Sequence, residues 1–375
     1  MNALKTAGWG LYLSCSWTWC IGMFLPVILM HRYGWLGFLI FSVPNVIGCV
    51  AFGYVVKTPE RSKELVDKYK TAISLFAIVT IAFHAFFIAM ISLAYLNDYF
   101  ILLSAWLPFC VLAISACLAF MPTKHWPILA ALLWLFSVIA GISFLPFNVT
   151  PEGNLPWQDA IWLLPITTFG FFLCPYLDPT FHKALQCSPS KHSFGVFGVA
   201  FIVMIGITTT YVALGPPGYA STLFTIGIFL GLHLVLQSIF TIGAHIREGI
   251  CIETGIRKTA FIALVAFSSL IAVAIAHRFG GVSPSGNWLP GWQDDYLRFF
   301  VFFGLLFPGL VATFMLTGRS FTPLRVVLFA LVALLSLPLL EIGYIGDQAW
   351  LSILPVVVLL TWAFTDRNAC LPKQL

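Results

Sequence analysis

Thr18, Gly22 and Pro26 stand in one long apolar run of this 375-residue chain, and Thr167, Gly170 and Pro175 stand in the same order in another, about 150 residues on. Gly and Pro interrupt helices. In lipid an interrupted helix frees N–H and C=O groups, and the dipole ends of two half-helices, to hold a solute or an ion. Such breaks survive only beside protein or a watery cavity. The chemistry expected is therefore binding by backbone groups near Trp19, Cys20 and Gly22 on one side and Thr167, Thr168, Phe169 and Gly170 on the other. The competing reading is that Gly22 and Gly170 only let neighbouring helices pack closely. Two histidines, His84 and His233, fall near the midpoints of further apolar runs. An ionisable group at that depth is costly and points inward, to a functional site. Each imidazole could carry a coupling proton or donate to a polar substrate, or stay neutral, bonded to a neighbouring helix.

What must position these groups is a bundle of membrane-spanning helices. Hydrophobic residues make up 60% of the chain and charged ones only 9%, with no charged or Ser/Gly-rich domain between the apolar runs, which sets aside a soluble protein. The first apolar run is long enough to be a retained span rather than a cleaved signal peptide. At roughly 20 apolar residues per crossing, twelve spans are expected, at 8–30, 35–56, 71–96, 99–121, 126–146, 159–177, 194–214, 220–246, 259–277, 296–317, 324–345 and 348–365. With the N-terminus inside, the cytoplasmic side collects Lys5, Lys57, Arg61, Lys63, Lys68, Lys70, Lys124, Lys183, Lys191, Arg247, Arg257, Lys258, Arg319, Arg325, Arg367 and Lys373. Only Arg32, Arg278 and Arg298 fall outside, as the positive-inside bias requires. The net charge of +5 is then topology rather than nucleic-acid binding. Both termini are expected in the cytoplasm, and the membrane expected is a bacterial cytoplasmic one.

Five spans precede the loop at 147–158, so the next five begin on the opposite side of the membrane. The chain is expected to be one all-α transmembrane domain, 1–375: a five-helix repeat at 1–146, its inverted counterpart at 159–317, and two accessory helices at 324–365. The paired breaks fall in the first span of each set, where such a repeat places its site.

Ser16 to Gly34, with Met23, Phe24, Leu25, Pro26 and the pair Tyr33 and Gly34, resembles the broken first core helix of sodium/solute symporters. The sixth span, ending Pro175, Tyr176, Leu177 and Asp178, with Phe181 to Gln186 as an amphipathic continuation, resembles its partner. The chain is thus similar to the LeuT fold of the amino acid, polyamine and cation transporter superfamily, in topology over most of its length and in motif over about 40 residues. That resemblance implies a secondary transporter moving a small solute by alternating access, coupled to Na+ or H+, with no other cofactor. It implies that the third and eighth spans line the substrate site, which brings in His84, His233 and Gln237. It also implies a sodium site made by carbonyls between Ser16 and Trp19 and by the hydroxyls of Ser238 and Thr241. The chain departs from the family in that Gln237 precedes Ser238 where adjacent hydroxyl residues are the rule.

Trp17, Trp19, Phe24, Phe169, Phe171 and Phe172 surround the breaks and could wall an apolar pocket, although 36 Phe residues put a ring near any point. Trp157, Trp162, Trp288, Trp292 and Trp350 sit near outer boundaries as interfacial anchors. Asp178, with His182 and Lys183 one turn on, reads as a helix-end ion pair or a gate contact, and Glu341 as an acid reaching the outer surface. Lys57 to Lys70, with Glu60, Glu64 and Asp67 interleaved, has the charge spacing of a cytoplasmic surface helix. The nine cysteines form no Cys-x-x-Cys pair, and there is no phosphate loop, nucleophile elbow or His-Glu-x-x-His, so neither an ATP-driven pump nor an enzyme is expected. Two other classes compete. An intramembrane acyltransferase would use a buried histidine as base, yet neither His84 nor His233 has a carboxylate or nucleophile one turn away. A transporter-like sensor would carry a signalling domain. The partners expected are a small solute and the bilayer; oligomeric state is not legible.

Overall fold

Lipid offers backbone groups no water, so each must find its partner within the protein, and helix is the only regular structure among the described residues. The computed structural model describes residues 2–96, 100–142, 153–209, 220–278, 290–346 and 348–365. Trp288, the Trp292 side chain, Arg367 and Lys373 lie outside the described residues. In chain order the helices are α1 (Asn2–Trp17), α2 (Cys20–Tyr33), α3 (Trp35–Val56), α4 (Pro59–Leu96), α5 (Ile101–Leu118), α6 (Trp126–Ile142), α7 (Trp157–Ile161) and α8 (Leu164–Leu173). There follow α9 (Pro179–Cys187), α10 (Ser193–Thr208), α11 (Ala220–Ile252), α12 (Gly255–Arg278), α13 (Pro290–Val301), α14 (Phe307–Leu310), α15 (Pro323–Leu340) and α16 (Ile353–Thr365). Widened turns at Phe302–Leu306 and Val311–Met315 flank α14.

Eight stretches are long and apolar enough to cross a membrane, or nine if α1 and α2, bent by 63° between them, count as one. The chain is an α-helical membrane protein. Its outer helices α5, α12 and α15 turn Leu102, Trp106, Phe267, Leu324 and Leu335 outward, a surface that hydrocarbon solvates and water would not. The axis of the bundle is α4, whose Phe76, Phe83, Phe86 and Phe87 are fully buried and which packs along α12, α11, α5 and α9. Beside it, α1 lies along α10 and α6, while α8 lies along α3 and the bulged stretch around α14; α11 lies along α4 and α5.

Two local features differ from the sequence expectation. The helix over Lys57 to Lys70 exists, but it is the first part of α4, joined to the span through a kink at Tyr69 (φ −117°, ψ 21°). The second interruption lies further along than Thr167 to Gly170. Those residues are helical within α8, and Thr167 Oγ1 donates back to the carbonyls of Leu163 and Leu164 at 3.2 and 3.1 Å. The helix gives way at Cys174–Tyr176 and restarts at Pro179. Proline explains the position: Pro175 has no N–H with which to continue the ladder, whereas Pro179 suits the first position of a new helix. Gly170 is a contact glycine, since a Cβ there would stand 2.6 Å from the backbone oxygen of Phe303.

Candidate functional site

The first break is a two-residue interruption at Thr18 and Trp19, with Trp19 in an extended conformation (φ −68°, ψ 174°). Starting a new helix inside protein exposes N–H groups that need acceptors. The first of them, Cys20 N–H, donates to His84 Nε2 at 3.1 Å, and the opposite nitrogen, Nδ1, donates to Thr80 O at 2.8 Å. Tyr296 Oη–H donates to Cys20 O at 2.8 Å, so this one residue is held at both ends of its backbone. Both nitrogens of His84 are thereby spent, which makes it a neutral cap of the broken helix rather than a group free to meet a solute.

The second break is capped from within. Asp178 Oδ1 accepts from Thr180 N–H and from Thr180 Oγ1–H, each at 2.7 Å, a carboxylate at the positive end of α9. The two breaks touch: Ser16 Oγ donates to Thr180 Oγ1 at 3.1 Å, and Ser16, Thr18, Asp178 and Thr180 are all fully buried.

Alongside both runs α11, where His233, Gln237, Thr241 and His245 recur every four residues on one fully buried face. At one end of this ladder His233 Nδ1 lies 2.9 Å from Ser137 Oγ of α6, and Gln237 Nε2 donates to the same oxygen at 3.3 Å. One turn on, Thr241 Oγ1 donates to Cys15 O, just before the first break, at 3.3 Å. At the far end His245 Nδ1–H donates to Thr241 O at 2.9 Å and its Nε2 faces Asp178 Oδ2 at 3.5 Å. Twelve residues of helix put about 18 Å between His233 and His245. His233 stands at the Ser137 end of the ladder, and the histidine beside the breaks with His84 is His245. The sequence expectation named His233, Gln237 and Thr241 but not His245, which the same spacing of four reaches.

The Asp178 side chain pairs with neither His182 nor Lys183. His182 bonds Ser62 Oγ (2.9 Å) and Tyr176 O (3.0 Å), and Lys183 lies 3.7 Å from Glu248. Capping turns the aspartate into the bundle, while residues a turn later face the α4 surface and the helix ends. Glu341 likewise does not stand alone at the surface: it accepts from Arg298 Nε at 3.1 Å, and Arg298 also donates to Asp295 at 2.7 Å.

Aromatic rings fill the space at the first break. The Trp19 ring stands 4.3 Å from Trp17, 5.2 Å from Phe76, 5.1 Å from Phe303 and 5.6 Å from His245 between centroids. Trp17 Nε1 donates to Asn45 Oδ1 of α3 at 2.7 Å. Phe24 packs on Phe87 and Tyr296, whereas Phe171 turns to Phe41 and Phe300. Of the residues expected to bind a solute, Trp19 and Cys20 lie at a break and Gly22 lies just inside α2; Thr167, Thr168, Phe169 and Gly170 lie one to two turns before the second break.

Of the four residues expected around sodium, Ser16 and Trp19 lie at the first break and Ser238 and Thr241 on α11. Ser16 Oγ is turned to Thr180, Trp19 O accepts from Met23 N–H at 2.8 Å, Thr241 Oγ1 goes to Cys15 O, and Ser238 Oγ has no partner among the described residues. No group of three or more His, Cys, Asp or Glu gathers for a metal among the described residues. Ser14 Oγ, Trp19 Nε1, Asp178 Oδ2, Gln237 Oε1, Ser238 Oγ and His245 Nε2 are buried without a hydrogen-bond partner among the described residues. No protein-family model matches the chain, and no curated protein matches it.

Proposed function

We propose that this chain is a secondary transporter of the LeuT type, with twelve crossings and both termini cytoplasmic, moving a small solute by alternating access with a coupled cation, Na+ or H+. One observation carries the reading: two interrupted helices meet at their breaks, Ser16 against Thr180 at 3.1 Å, in a buried polar setting. Half-helix ends brought together in this way aim their dipole ends at a shared point, as broken transporter helices do at a binding site.

The packing pattern supports an inverted five-plus-five arrangement. Counting α1 and α2 as the first span and α8 and α9 as the sixth, the first span lies on the seventh and fifth (α10 and α6), and the sixth on the second and tenth (α3 and the stretch around α14). The third lies on the ninth (α4 on α12) as the eighth lies on the fourth (α11 on α5). Advancing each partner by five, counted cyclically within ten, turns the first contact of each pair into the second. Two similarly folded halves inserted in opposite senses produce that relation.

The test is uptake by proteoliposomes of the full chain, using a panel of radiolabelled amino acids, nucleobases, sugars and quaternary amines under an inward proton or sodium gradient. Accumulation that collapses with the gradient is the expected result. An acyltransferase would also place a histidine beside a carboxylate, so the same preparation is assayed for transfer from acyl-coenzyme A. Acyl transfer without uptake under either gradient refutes the transporter.

A further inference from the structure

We infer that Asp178 and His245 hold one exchangeable proton between them and that this proton is the coupled ion, an assignment that rests on the chain being a transporter. The argument is one of atoms facing atoms. Thr241 O accepts the His245 Nδ1–H at 2.9 Å, so the neutral ring has a bare lone pair at Nε2. That lone pair faces Asp178 Oδ2, itself an acceptor, at 3.5 Å, with both side chains fully buried and neither atom bonded to anything else among the described residues. Lone pair against lone pair in an apolar interior is repulsive; a proton placed between them makes an imidazolium–carboxylate pair with no net charge.

The groups facing the pair leave this proton no other seat. Of those on neighbouring elements, His84 on α4 is spent on Cys20 N–H and Thr80 O, and His182 on α9 on Ser62 and Tyr176. Tyr12 on α1, Cys49 on α3 and Cys174 add a phenol and two thiols, and Cys174 Sγ donates to Phe303 O at 3.1 Å. On α11 itself, Glu248 is engaged with Arg247 and Lys183. When the proton leaves His245 Nε2 for water, the imidazole is neutral and the carboxylate keeps only the Thr180 N–H and hydroxyl. Asp178 lies in an interruption while His245 lies on the continuous α11, so the proton ties the second broken span to α11 and its loss drives the two apart. A proton that favours one arrangement over another is a coupled proton.

The first measurement is infrared pH-difference spectroscopy of the full chain in lipid, which needs no solute. A carboxylate and imidazole titration lost in both Asp178→Asn and His245→Gln, and retained in Ser269→Ala, is the expected result. An unchanged titration in the two variants overturns the proposal; if Asp178→Asn does not fold, His245→Gln alone decides it. The second measurement is uptake of whichever panel solute the proteoliposomes accumulate. Proton-driven uptake that falls at least tenfold in His245→Gln supports the assignment. Uptake driven by sodium alone and unaltered in His245→Gln overturns the coupling proton and leaves the transporter standing, whereas no uptake under either gradient overturns both.

Discussion

Replacing Gly170 and Gly22 by alanine, one at a time, separates a glycine that packs from one that does not. At Gly170 the new Cβ would stand 2.6 Å from Phe303 O and 3.3 Å from Gly304 Cα, about 0.8 Å inside ordinary contact at 3.4 Å, and against backbone that has no rotamer with which to retreat. Forcing α8 off the stretch before α14 is overpacking and costs about 1–3 kcal/mol. At Gly22 the nearest atoms are Trp17 O at 3.6 Å and the Phe201 ring at 3.7 Å, ordinary contact. Alanine gains roughly 0.8–1 kcal/mol of helix propensity at either site, so that gain cancels in the comparison. Gly170→Ala should therefore be less stable than Gly22→Ala by about 1–3 kcal/mol, which is about 5- to 150-fold in the unfolding equilibrium. Denaturant unfolding of the purified protein in detergent, followed by circular dichroism, reads the difference. Equal losses, or a larger loss at Gly22, would refute the packing assigned to α8.

His84→Ala leaves Cys20 N–H buried without its acceptor and should destabilise by about 1–3 kcal/mol, with His84→Gln recovering part of the loss in the same unfolding assay; no recovery would argue against the cap. Arg298→Gln removes both contacts to Asp295 and Glu341, but the arginine is half exposed, so the stability cost should stay under about 1 kcal/mol and shrink as salt is raised. A membrane-impermeant maleimide should label the exposed Cys187 and Cys251 from the cytoplasmic face and spare the buried Cys15, Cys20, Cys49 and Cys174 until the protein unfolds. Labelling of Cys187 and Cys251 from the outer face would reverse the orientation.

Much of this protein is written along the chain. Apolar run length and charge scarcity determined that it is helical and belongs in a membrane, because a run of about 20 apolar residues crosses lipid as a helix that satisfies its own backbone. The first break was legible at Thr18 to Gly22, and the charge spacing of Lys57 to Lys70 announced the helix that α4 includes. Local chemistry misled only where it was weighed without geometry: Gly170 reads like a breaker and packs like a contact, while Pro175 and Pro179 set the second break. What only the tertiary structure decided is company. That His84 caps Cys20, that Ser16 reaches Thr180, and that Asp178 meets His245 rather than His182 all depend on partners from 64 to 164 residues apart. Periodicity tells which face of a helix turns inward; which neighbour that face meets is settled by the packing of whole helices against one another.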